Sequence, residues 1–152
     1  MNGSHPKSTA KILDHPIHPM LIPFPIVCFV GAFVSDVVYT QNSDPGWATA
    51  SMWLLGIGLV MAALAATAGL IDFLGDDQIR RLGDALKHML ANVTAVVIEL
   101  VNLVLRIHNP GFAQSTGVFL SGAVVLILLY SGWKGGDLVY RHGVGVRDTP
   151  NP

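Results

Sequence analysis

Four long apolar runs, at about residues 20–39, 47–73, 86–107 and 117–133, are separated by short polar segments. The runs are 17 to 27 residues long, enough for an α-helix to cross a bilayer. The pattern predicts an all-α fold, an integral membrane antiparallel four-helix bundle. The third run is unlike the others. His88, Asn92, Ala95, Glu99, Asn102 and Arg106 recur at spacings of four, three, four, three and four. Those positions form one seam of a helix, the pattern of a packed bundle face. Polar groups on such a seam have no role against lipid, so the other three helices are expected to shield it.

The connecting segments carry turn chemistry. Asp44-Pro45-Gly46 and Asn109-Pro110-Gly111 mark turns, and Gly135-Gly136 is expected to close the last helix. Before the first run, HPIHPMLIPFP holds Pro16, Pro19, Pro23 and Pro25, which bias the preceding residues toward extended or polyproline backbone. In a threefold polyproline turn His15 and His18 share a side. The second run contains the small-xxx-small pairs Ala62/Ala66 and Ala65/Gly69, which favour close helix approach and suggest a homo-oligomer. The expected organisation is a flexible polar tail over 1–14, a membrane domain over 15–146 and a disordered tail over 147–152.

Composition strengthens the membrane reading. Of 152 residues, 51% are hydrophobic and only 12% charged. Soluble domains are about a quarter charged. The lone Cys28 excludes a disulfide framework or a Cys-based metal site within one chain. No basic stripe interleaved with aromatics is present, so the expected partner is the lipid bilayer and not nucleic acid. Four spans put both termini on one side. Lys7, Lys11, Arg80, Arg81, Lys87, Lys134, Arg141 and Arg147 fall there, against Arg106 on the other. The positive-inside rule makes that side cytoplasmic.

The same side collects His15, His18, Asp72, His88 and His142. Imidazoles at a membrane helix entrance can ligate metal or haem, relay protons or form structural hydrogen bonds. His18 and His88 lie on helices that can sit diagonally, as two axial ligands of a b-type haem require, with His15 and His142 as substitutes. Alternatively His15, His18, His88 and Asp72 hold iron or zinc. Lys134 and Arg141 suit lipid phosphate, a haem propionate or a quinone headgroup. At the other end Asp36 lies at the depth of Arg106. Asp36, Asn92, Glu99, Asn102 and Arg106 therefore form an intramembrane polar set. It either fixes the packing register or opens a proton path from Glu99 toward the histidines.

HPIHPMLIPFPI, GLIDF, the His88–Asn92–Asn102–Arg106 seam and WKGGDLVYRHGVGV together resemble a bacterial family of four-span membrane proteins, domain of unknown function 2231. The resemblance runs from about His15 to Val146. Some members are fused to Rieske-type iron–sulfur domains, which implies membrane redox chemistry by association. This chain carries no such domain, so the electron donor is expected to be a separate redox protein or a quinone. The family supplies no catalytic residue to carry over, and whether the chain is an enzyme stays open. The leading expectation is electron transfer through haem b. The rivals are a non-haem metal protein and a small transporter or structural membrane partner without cofactor.

Overall fold

The computed structural model describes residues 5–146, and the expected 147–152 tail, with Arg147, lies outside them. A two-residue hairpin, β1 (Lys11–Ile12) and β2 (His15–Pro16), leads into a short helix α1 (Ile17–Leu21) and then α2 (Pro23–Asn42). The long helices α3 (Pro45–Gly75), α5 (Gly83–His108) and α6 (Gly117–Tyr140) complete the bundle. A single turn, α4 (Asp77–Arg80), and a 3₁₀ segment, Pro110–Gln114, join them.

Helices α2 and α3 form one pair and α5 and α6 the other. The pairs meet through α2 with α6 and through α3 with α5. The first and third spans therefore lie on one diagonal. Four helical segments of 24 to 31 residues are long and apolar enough to cross a membrane. At 1.5 Å per residue they measure about 36 to 46 Å, more than the roughly 30 Å hydrocarbon core. Most large apolar side chains, such as Trp53, Val60, Phe119 and Leu126, are exposed and point outward. That is the arrangement expected when lipid is the solvent of the outer face. The chain is a multi-pass membrane protein.

Helix ends follow local chemistry. Asp44 caps α3 by accepting from the Gly46 N–H at 2.9 Å, with Pro45 in the first turn. Asn109 does the same for the 3₁₀ segment through Gly111 at 3.1 Å. The run of prolines does not make a polyproline turn. Pro23 and Pro25 fall in the first turn of α2, where an N–H has no intrahelical acceptor and proline is tolerated. His15 stands in β2 and His18 in α1, so the threefold register that would have aligned them is absent.

Two further expectations change. Helix α6 does not end at Gly135-Gly136 but runs to Tyr140. A Cβ on Gly135 would lie 3.1 Å from the His88 ring, so this glycine makes room for an imidazole. Residues 5–14 are not a loose tail. The Asp72 carboxylate accepts from the N–H groups of Thr9 and Ala10, both at 2.7 Å, and from the Ser8 hydroxyl at 2.9 Å. The Lys7 N–H donates to Asp76 at 2.8 Å, and the Gly145 N–H to the Pro6 carbonyl at 3.0 Å. The first described residues are strapped across the helix ends.

The small-residue face of α3 is used inside the bundle. Ala62, Ala65 and Ala68 are buried, while Ala66 is exposed. A Cβ on Gly58 would meet Phe29 at 2.7 Å and Cys28 at 2.9 Å, so α2 and α3 cross closely there. Ala62 and Ala65 are thus used inside the bundle, while Ala66 stays on its outer face.

Candidate functional site

The interior is layered along the bundle axis. At the end opposite the termini lies a layer of polar groups from four helices. Arg106 of α5 bonds the Asp36 carboxylate of α2 through both terminal nitrogens, each at 2.6 Å. Its Nη1 also donates to Ser51 of α3 at 2.7 Å, its Nη2 to Ser121 of α6 at 3.1 Å, and its Nε to Asn102 at 2.8 Å. All five guanidinium donors are thus satisfied. Ser121 returns its own proton to Asp36 at 2.8 Å. Asp36, Ser51, Asn102, Ser121 and Glu99 are wholly buried, and Arg106 is 3% exposed. Gly117 lies against this layer, where a Cβ would be 3.0 Å from Arg106 Nη2.

Glu99 sits one turn from Asn102 and accepts from its amide at 2.9 Å through Oε2. Its Oε1 is the only buried side-chain nitrogen or oxygen without a hydrogen-bond partner among the described residues. Beyond it comes an apolar layer of Phe29, Ala32, Leu55, Ala95 and Val124, each at most 1% exposed.

Next toward the termini come the imidazoles. The His18 and His88 rings meet in an edge contact, with centroids 6.0 Å apart and planes at 89°. His18 Nδ1 donates to the Ala65 carbonyl at 2.7 Å, and His88 Nδ1 to the Ser131 carbonyl at 2.8 Å. A ring nitrogen that faces a carbonyl must carry the proton, so both rings are Nδ1–H tautomers with an Nε2 lone pair left over. The Asn92 amide approaches His88 Nε2 at 3.2 Å and also bonds the His88 carbonyl. Glycines give the rings their space. A Cβ on Gly69 would come within 2.9 Å of His18, as Gly135 does for His88 at 3.1 Å.

The other sequence-nominated groups do not join this pair. His15 is exposed, bonds the Leu13 carbonyl at 2.9 Å and borders a separate surface hollow with Ile12, Met20 and Leu21. Asp72 is engaged by the N-terminal strap. His142 contacts Asp84 at 3.1 Å. Lys134 lies between Asp84 at 3.1 Å and Asp137 at 3.0 Å, with Arg141 at 3.7 Å from Asp137. No three His, Cys, Asp or Glu side chains among the described residues form a group able to hold a metal ion. The four-ligand set His15, His18, His88 and Asp72 is therefore not assembled.

Sequence reasoning overlooked the serines and two of the acids. Ser51, Ser121 and Ser131 were detectable as hydroxyls inside strongly apolar helices, where they find partners across the bundle. Asp137 was detectable from its i, i+3 spacing to Lys134. The role of Asp84 depends on α5 meeting α6 and carries no local signal.

A family model described as a predicted membrane protein (DUF2231) matches residues 14–148. No curated protein and no solved structure matches the chain.

Proposed function

The chain belongs to the family of predicted membrane proteins called domain of unknown function 2231, and we propose that it carries electrons in the membrane through a b-type haem. His18 and His88 are the axial ligands in this reading. One observation carries it: two imidazoles from diagonal spans meet in the bundle interior with both Nδ1 protons committed to main-chain carbonyls. That commitment fixes ring orientation and would leave Nε2 as the ligating atom, in His88 after displacement of the Asn92 amide that approaches it at 3.2 Å.

Ligand count favours haem over a bare ion. A structural zinc site asks the protein for four ligands, whereas a haem brings its own four equatorial nitrogens and needs only two axial groups. When bound, it supplies a one-electron couple whose potential follows ligand identity, burial and hydrogen bonding. The protein's part is to orient both rings, through Ala65 and Ser131, and to separate them from the Glu99 layer by the apolar one.

The proposal sets the termini end in the cytoplasm of a bacterial inner membrane. Lys7, Lys11, Arg80, Arg81, Lys87, Lys134 and Arg141 lie at that end. Arg106, toward the other, is buried in its ion pair. The partner is then a cytoplasmic-side redox protein or a quinone.

The test is a reduced-minus-oxidised visible spectrum of protein purified after expression with ample haem. His18→Ala and His88→Ala should each abolish the haem bands while leaving insertion intact, and His15→Ala and His142→Ala should leave them unchanged. Colourless wild-type protein, or bands that survive both of the first two substitutions, would refute the assignment.

A further inference from the structure

The imidazole pair makes no use of Glu99. This residue is the only glutamate in the chain and is wholly buried at the level of a bilayer interior. Oε2 receives one amide hydrogen bond, from Asn102, and Oε1 receives none. The nearest cation offers no help. Arg106 spends its two terminal nitrogens on Asp36, Ser51 and Ser121 and its Nε on Asn102. Its charge is already balanced by Asp36. A carboxylate in apolar surroundings with one neutral donor and no counter-ion is strongly disfavoured, and ionisable groups so placed mark functional sites.

The surroundings are asymmetric. On the side away from the termini, a hollow of about 450 Å³ is lined by Tyr39, Ala48, Thr49, Met52 and Arg106. Arg106 is the residue that this hollow shares with the buried polar layer. From there Asn102 links Arg106 to Glu99 by hydrogen bonds of 2.8 and 2.9 Å. Toward the termini, Phe29, Ala32, Leu55, Ala95 and Val124 offer no polar atom of a side chain. The polar groups of this layer are Asp36 on α2, Ser51 on α3, Asn102 and Arg106 on α5 and Ser121 on α6.

We propose that Glu99 is a proton-binding site loaded from the end of the bundle opposite the termini. An O–H bond forms on the Glu99 carboxylate, a hydronium that enters from the hollow gives up that proton and becomes water, and the carboxyl passes from charge −1 to neutral. No electron moves, so the proposal stands apart from the haem reading and survives a colourless protein. The apolar layer makes exchange one-sided.

Because Glu99 is the sole glutamate, isotope labelling isolates it without any substitution. Protein labelled with carboxyl-¹³C glutamate and reconstituted in phosphatidylcholine vesicles is examined by infrared spectroscopy at neutral pH. The expected result is a label-sensitive C=O band of a protonated carboxyl that shifts on transfer to D₂O. Its absence, with a label-sensitive carboxylate band instead, overturns the proposal. Ala48→Trp, which fills the hollow, should slow the D₂O shift. An unchanged exchange rate overturns loading from that end. Glu99→Gln should remove the protonated-carboxyl band, and a band that persists in it overturns the assignment.

Discussion

Replacing Asp36 by Ala removes both charge-assisted bonds to Arg106, which stand at 2.6 Å on buried partners. Arg106 keeps only the neutral acceptors Asn102, Ser51 and Ser121. Breaking a buried pair by removing one member costs about 3 to 5 kcal/mol, because the survivor remains charged in an apolar setting. Arg106→Ala should cost a similar amount and leaves Asp36 with the Ser121 hydroxyl alone. The double substitution removes both charges. Ser121 and Asn102 then retain their own bond at 3.0 Å. Its loss should fall short of the sum of the single losses by about 2 kcal/mol or more, within the usual range for directly bonded partners. Reversible unfolding in mixed detergent–SDS micelles, followed by far-ultraviolet circular dichroism, measures all four corners of the cycle. Losses additive to about 0.5 kcal/mol would show that the pair is not energetically coupled and would refute the reasoning.

Two further outcomes are expected. Asp72→Ala removes the acceptor shared by Ser8, Thr9 and Ala10, so the Thr9 and Ala10 amides should exchange with deuterium roughly tenfold faster or more while the long helices keep their protection; unchanged exchange at Thr9 and Ala10 would contradict the strap. With Cys28 replaced, Arg80→Cys should be labelled by a membrane-impermeant thiol reagent only from the cytoplasmic side and Ser43→Cys only from the outside; the reverse result would invert the proposed orientation.

Architecture was legible because the lipid solvent imposes a crude, strong pattern: four apolar lengths joined by turns. The α5 seam was legible for the opposite reason. Polar residues at helical spacing inside an apolar run have no explanation except an interior, and Asp36 was matched to Arg106 by depth alone. What escaped the sequence involves partners that side-chain patterns do not encode. Asp72 binds backbone N–H groups of Thr9 and Ala10, which every residue but proline possesses. Gly69 and Gly135 look like helix-packing or helix-ending glycines, yet each matters for an imidazole donated by another helix. The proline run misled because proline in a first helical turn is as acceptable as proline in an extended segment. His15 was grouped with His18 on that assumed geometry, and the hairpin separated them.

The strap has a consequence for the order in which the protein is made. The segment around Ser8 leaves the ribosome before the spans, but Asp72 follows only at the end of the second, and Gly145, whose N–H bonds Pro6, comes after the fourth. His18 likewise waits for Ala65 of α3, and His88 for Ser131 of α6. During biosynthesis neither ring is therefore oriented until its later helix has been threaded in. The imidazole pair is completed only when α6 is in place, so its geometry is a product of the assembled bundle and not of any one helix.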